Sequence, residues 1–172
     1  MRTEKMIDDL SIQAVDPFDP NALTLLREAA IEARQIYADR IDADAPWPTS
    51  VPVPARGIYI LAYLSGEPAG CGSLYPLDET TAEIRRMFVV PGSRRAGIAR
   101  RILHALEVAA VGFGYVTLRL ETGMRQPAAI RLYEAAGFQR IANFSGRGSD
   151  ALSVCYEKRL WFASRGAKQP AT

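Results

Sequence analysis

The stretch Pro91 to Arg101, PGSRRAGIARR, sets Arg94, Arg95, Arg100 and Arg101 around Gly97, just where the apolar spacing of a helix begins. A helix N-terminus exposes N–H donors and carries partial positive charge, so each guanidinium group there is disfavoured by about 0.3–1 kcal/mol. An anion docked on the amides of about Arg95 to Arg100 reverses the balance, because the guanidinium groups then flank it with charge-assisted hydrogen bonds. A phosphate cradle is the chemistry this spacing points to. The plainer alternative is a set of solvated loop and helix-surface arginines, which are common. A Walker loop needs GK[ST] after its glycines, and a dinucleotide fingerprint needs GxGxxG. The chain has neither, since GFG at Gly112 to Gly114 stops short and precedes a strand.

The elements around this loop follow from periodicity. The run TTAEIRRMFVV reads as a strand ending at Pro91, and from Ala96 the spacing turns helical, with Ile98, Ile102, Leu106, Ala109 and Ala110 on one face and Gly112 as the stop. Upstream, a short apolar run spans Leu10 to Val15. A helix follows with Leu26, Ala29, Ala33, Ile36 and Tyr37 at helical spacing, with room for a break, capped by Asp19 or Asn21 with Pro20 in its first turn. DADAPWPTSVPVPARG, with four prolines and no periodicity, is the kind of connection that shapes a substrate site. GIYILAYL, a turn at SGEPAG, and CGSLY read as an antiparallel pair. YVTLRLE is a strand and QPAAIRLYEAAGF a short helix with a stripe of Ala129, Leu132, Tyr133 and Ala136. FQRIAN and ALSVCYEKRLWF close the set as strands.

Composition bounds the rest. At 172 residues, 48% hydrophobic and 23% charged, the chain has material for one sizeable core. Residues 1–162 are expected to form one α/β domain and 163–172 a disordered tail. A net charge of +2 makes the arginine cluster local and argues against nucleic-acid binding, as does the lack of interleaved aromatics. Cys71 and Cys155 lie far apart without CxxC spacing and His104 is the single histidine, so free thiols and no metal are expected. No window approaches a membrane span, and a reducing cytoplasm is the default expectation.

RRAGIA resembles the Q/R-x-x-G-x-G/A loop of the GNAT N-acetyltransferase superfamily, which cradles the pyrophosphate of acetyl-coenzyme A. The resemblance extends from Ala82 to Ile141: AEIRRMFVVPGSRRAGIARRILHALE looks like the family's strand, loop and helix, and LRLETGMRQPAAIRLYEAAGFQRI like the strand and helix that follow. It implies an α/β (α+β) fold with a mixed, mainly antiparallel central sheet of about six to seven strands flanked by about four helices. It further implies an acyltransferase that moves acetyl from acetyl-CoA to a primary amine of a small molecule or peptide by direct attack, with no acyl-enzyme. The competing reading is a non-catalytic acyl-CoA sensor or regulatory module. Departures from the family pattern are Ala99, at a position often held by glycine, and Gln126, where many members have asparagine.

Residue by residue, the resemblance puts Arg94, Arg95, Ala96, Gly97, Ile98, Ala99 and Arg100 around the pyrophosphate, and Met87, Phe88 and Val89 beside the pantetheine arm through their main chain. Gln126 would contact that arm. Tyr133 of the LYE segment would protonate the departing thiolate. Glu83, which strand alternation places on one side with Arg85, Met87 and Val89, matches a glutamate used as general base; otherwise it pairs with Arg85 or Arg86. Glu121 is the alternative base or an amine-binding carboxylate, and Asp42 and Asp44 before Trp47 are candidates to attract a cationic amine. His104 reads as a surface residue and Cys155 as packing. The amine's identity, a homodimer and the role of the glycine-rich 143–151 segment stay open.

Overall fold

A computed structural model describes residues 9–145 and 152–160. A seven-stranded open sheet runs in the order β1-β2-β3-β4-β5-β7-β6. The strands are β1 (Leu10–Ala14), β2 (Ile58–Leu64), β3 (Glu67–Pro76), β4 (Thr81–Val89), β5 (Thr117–Gly123), β6 (Gln139–Ile141) and β7 (Ser153–Arg159). The α-helices among the described residues are α1 (Pro20–Ile36), α2 (Ile98–Gly112) and α3 (Pro127–Ala135), with a single 3-10 turn at Pro91–Ser93. The first helix is unbroken. The Asp19 carboxylate accepts from the Asn21 amide at 2.8 Å and Pro20 opens the first turn, so nothing inside the run interrupts it. The expected tail at 163–172, and most of the 143–151 segment, lie outside the described residues.

The β2–β3 turn is tighter than SGEPAG suggests. Ser65 and Gly66 both take left-handed backbone, φ 51° and 85°, so Leu64 pairs directly with Glu67 and β3 begins at once. That is a two-residue hairpin whose twist matches its strands.

Every pairing is antiparallel except β4 with β5, the two strands joined through α2. That pair is short. Thr81 to Ile84 lie beside Thr117 to Leu120, and beyond Ile84 the two strands run on without pairing. The sheet therefore splits at its centre, with a gap bounded by the second half of β4 and by Glu121 to Gly123 of β5.

The two faces of the sheet carry separate cores. On one, Ile98, Ile102, Leu103 and Leu106 of α2 pack with Leu74, Ile84, Leu118 and Leu120, and Tyr133 and Phe138 join the same cluster. Gly70 and Gly72 of β3 permit this approach: a Cβ at Gly72 would lie 2.7 Å from Ile102 Cγ2, and one at Gly70 would lie 2.8 Å from the Phe88 carbonyl oxygen. On the other face Ala22 and Leu25 of α1 pack with Tyr59, Leu61 and Cys71.

A bulge in β4 changes which side chains share a face. Cys71 pairs with Phe88 but Ser73 with Arg85, so β4 holds one extra residue, and Arg86 sits there at φ 58°. Met87 and Val89 consequently join the α2-side core, while Phe88 and Val90 pack on the α1 side. The side expected to hold Glu83, Arg85, Met87 and Val89 together is thus broken after Arg85, because the inserted residue reverses the alternation.

Candidate active site at the split between β4 and β5

A cavity of 510 Å3 occupies the split. Met87 and Phe88 line it from β4, Glu121 and Thr122 from β5, Gln126 at the N-cap of α3 with Ala129 and Tyr133 within that helix, and Ala29, Ala30 and Ala33 from α1. The alanine stripe of α1 therefore does not fill the core; its small side chains leave room beside the sheet. Ile41, Pro46 and Pro48 complete the wall from the proline-rich connection. That connection is anchored by Trp47, whose ring lies between the guanidinium groups of Arg27 at 3.3 Å and Arg34 at 3.8 Å. Arg34 also donates to the carbonyls of Ala43 and Ala45 at 2.8 and 2.5 Å. Asp42 and Asp44 are exposed and close a local turn, the Asp44 amide donating to Asp42 at 3.0 Å, and neither lines the cavity.

The loop after β4 presents a row of donors. Arg95 and Gly97 take left-handed backbone, φ 64° and 77°, and Gly97 caps α2 without a side-chain hydrogen bond. Arg101 is the first amide to bond back, to the Gly97 carbonyl at 3.1 Å. The amides of Arg95 through Arg100 donate to no described backbone carbonyl, and the first turn of α2 has no acidic residue. Ile98 is buried and Ala96 and Ala99 pack partly on the core, so at these positions the main chain is the part available to a ligand. A Cβ on Gly97 would meet nothing within 4 Å, so the space beside it is open. This suits a diphosphate, which takes several N–H donors at once.

The arginines divide. Arg94 is committed elsewhere: its Nε donates to the Val89 carbonyl at 2.9 Å and Nη2 pairs with Glu32 at 2.6 Å. Arg95, Arg100 and Arg101 are exposed. Of Arg94, Arg95 and Arg100, expected around the diphosphate, Arg94 braces the loop against β4 and α1, and Arg95 and Arg100 are exposed.

Glu83 is 3% exposed and its carboxylate is held by Arg85, whose Nε donates to Oε2 at 2.5 Å. It stands beside Arg119 in the parallel register and opposite Tyr75, and does not line the cavity. Glu121 does. Its neighbours Leu118 and Leu120 face the α2-side core, so alternation turns Glu121 to the other face just past the last paired residues. Its Oε2 is buried with no hydrogen-bond partner among the described residues. Tyr133 is 4% exposed, packs edge-on to Phe138 at 5.9 Å, and its hydroxyl bonds to no described residue. Burial pushes its phenol well above the ordinary tyrosine value, so it carries its proton at neutral pH.

Cys71 also reaches the cavity, but burial pushes its thiol up to about 11 and it donates to the Arg86 carbonyl at 3.1 Å, which suits an inert group. Cys155 is a buried thiol in no disulfide and His104 is exposed. Among the described residues no group of three or more His, Cys, Asp or Glu could hold a metal, and no helix is long and apolar enough to cross a membrane.

Sequence patterns did not reveal Arg86 at the bulge, the stacking of Trp47 between Arg27 and Arg34, or a clamp in which Arg125 donates to Asp39 at 2.5 and 2.9 Å. Nothing in a strand-like run such as EIRRMFVV marks where a bulge falls.

Comparison with known proteins places this architecture. The model of the acetyltransferase (GNAT) family matches residues 21–138, and the chain belongs to that family. An IAA acetyltransferase of Azospirillum brasilense is 38% identical over 103 residues, covering 59% of this chain and 67% of that protein. A Klebsiella pneumoniae structure assigned as an acyl-CoA N-acyltransferase superposes with a TM-score of 0.72 at 33% identity, over 88% of this chain and 98% of that one. A GNAT family acetyltransferase from Elizabethkingia anophelis, solved with acetyl-CoA bound, shares the fold with a TM-score of 0.63 at 20% identity, over 89% and 99% of the two chains. The protein is an acyltransferase with a mixed α/β, mostly antiparallel sheet.

Proposed function

We propose that this enzyme is an N-acetyltransferase that moves the acetyl group of acetyl-CoA to a primary amine of a small molecule or peptide by direct attack. The observation that carries the reading is the one cavity in the β4–β5 split that brings together Glu121, Gln126 and Tyr133. When bound, acetyl-CoA supplies an acetyl group activated as a thioester. The amides of Arg95 to Arg100 hold the diphosphate, flanked by Arg95 and Arg100, and the unpaired edge of β4 at Met87 to Val89 offers main-chain partners to the pantetheine arm.

The side chains then divide the proton traffic. A new N–C bond forms as the C–S bond breaks; the amine gives up a proton and the thiolate gains one. Glu121, aimed into the cavity with an unpartnered oxygen, accepts the amine's proton, directly or through water. Tyr133, kept protonated by burial, donates to the thiolate. Glu83 acts behind them by fixing Arg85, the role its ion pair supports, instead of the base role the resemblance implies. No acyl-enzyme is required, since the thiol in the cavity is the poorly ionised Cys71.

A panel of polyamines, amino acids, aminoglycosides and peptide N-termini, read by thiol release, tests the reading. At least one amine class should give acetyl-CoA-dependent thiol release that scales with enzyme. Tight acetyl-CoA binding with no acetylated amine would replace the enzyme reading with that of an acyl-CoA sensor.

A further inference from the structure

The acceptor side of the cavity carries more positive than negative groups. Arg34, Arg85 and Arg86 line it, against the carboxylate of Glu121. Arg34 is spent on Trp47 and on the Ala43 and Ala45 carbonyls, and Arg85 on Glu83. Arg86 makes no side-chain hydrogen bond or ion pair with any described residue, and it stands at the β4 bulge in left-handed backbone, φ 58°, a conformation costly for a residue with a Cβ. It lines the cavity together with Tyr59 and Cys71, which pack on the α1 face of the sheet. That is the face to which Glu121 turns.

A positively charged amine alone is poorly served by such a wall. Glu121 matches it, because an ammonium supplies donors to a buried oxygen that lacks one. Arg86 does not: it would repel a simple cation and leaves its own fork unused. A ligand with both charges satisfies the two groups together, since a carboxylate takes two parallel N–H bonds from a guanidinium. Between them the wall of Leu26, Ala29, Ala30 and Ala33 leaves space for a small apolar substituent.

We infer that the acceptor is an amine that also carries a carboxylate, a small apolar amino acid or a close analogue, with its ammonium on Glu121 and its carboxylate on Arg86. The inference rests on the acetyl-transfer reading and names the substrate class of the same site. It makes Arg86 the residue that sets specificity.

The test uses leucine, leucine amide and 3-methylbutylamine, which share an apolar group and an amine and differ in the carboxylate. Binding to the coenzyme A-loaded full chain is measured by calorimetry, and turnover by thiol release from acetyl-CoA. Leucine should bind at least about tenfold more tightly than the other two. Arg86→Ala should bring leucine down to their level, and Arg86→Lys, which keeps the charge without the fork, should retain part of the preference. Both variants keep a Cβ at the left-handed position, so neither adds backbone strain, and coenzyme A affinity measured alongside shows that the fold is intact. Equal binding of leucine and 3-methylbutylamine, or a leucine preference that survives Arg86→Ala, overturns the inference. The two readings fail separately. Arg86-dependent leucine binding without acetylation counts against acetyl transfer alone, whereas acetylation of 3-methylbutylamine as readily as leucine counts against the zwitterion site alone.

Discussion

Replacing Gly97 by valine tests the diphosphate cradle with an effect on the ligand that can be separated from the effect on the fold. Gly97 has φ 77°, and a side chain held in that region costs about 1–2 kcal/mol. No atom lies within 4 Å of a Cβ built there, so the fold adds no steric penalty. At roughly 2–4 °C per kcal/mol for a chain of this size, the ligand-free Tm should fall by about 2–8 °C. Coenzyme A at a hundred times its Kd stabilises the native protein by about 2.7 kcal/mol, which is a rise of roughly 5–11 °C. In Gly97→Val that rise should vanish, because the isopropyl group occupies the space beside the amides of Arg95 to Arg100. Gly97→Ala suffers the same backbone strain with a smaller obstruction and should keep part of it. The assay is thermal unfolding across a coenzyme A titration. A full ligand-induced rise in Gly97→Val would refute the assignment, whatever happens to the ligand-free Tm.

Other expectations follow from the same geometry. If Glu121 takes the amine's proton, Glu121→Gln should lower kcat/KM by about 100-fold or more at low pH and recover in part as free amine becomes abundant, whereas Glu83→Gln should give a smaller loss with an unchanged pH profile; the reverse pattern returns the base role to Glu83. Tyr133→Phe should lower turnover without rescue at high pH and leave acetyl-CoA affinity within a few fold, checked by paired pH–rate and binding measurements. Gly70→Ala, whose Cβ would meet the Phe88 carbonyl oxygen at 2.8 Å, should destabilise by about 1–3 kcal/mol in denaturant unfolding. Arg125 holds the Asp39 carboxyl down at about 2, so its contribution is present above the ordinary value near 4 and lost as pH falls towards 2; stability curves of wild type and Asp39→Asn should converge across that window, and parallel curves would refute it.

The fold was legible where pattern and punctuation agree. Ile98, Ile102, Leu106 and Ala110 lie at helical spacing and are buried as that spacing requires, and Pro127 and Gly137 bracket α3. The row of amides without described backbone partners was legible for the same reason: a glycine at the junction of a strand and a helix is a local property. What was not legible depends on which distant segments meet. Ala29 and Ala33 lie on the helix's apolar stripe in sequence, yet with Ala30 they line a cavity, because the sheet opposite them has split. The clamps of Trp47 by Arg27 and Arg34, and of Asp39 by Arg125, join segments whose sequences announce nothing to each other.

The choice between two carboxylates shows most directly why the chemistry outruns the pattern. Glu83 and Glu121 both lie on strands that border the split, and alternation turns both towards the α1 face. Their difference is one of position along those strands. Glu83 comes before Ile84, within the stretch where β4 and β5 are still paired, and there it meets the Arg85 guanidinium. Glu121 comes after Leu120, the last residue of β5 paired with β4, where β4 has drawn away while β7 stays paired on the other side, and the carboxylate faces the cavity. On β4 the corresponding residues just beyond Ile84 are Arg85 and the bulged Arg86, so the opening is flanked by a carboxylate on one strand and a guanidinium without a described partner on the other. The end of pairing and the single inserted residue of β4 therefore decide together which groups can touch a substrate. Removing the inserted residue would let β4 pair regularly with β3 past Ser73 and would redirect the part of β4 that borders the opening. Deleting Arg86 should accordingly abolish turnover even if the sheet still forms, with residual acetylation at near wild-type rate the result that would separate the bulge from the chemistry.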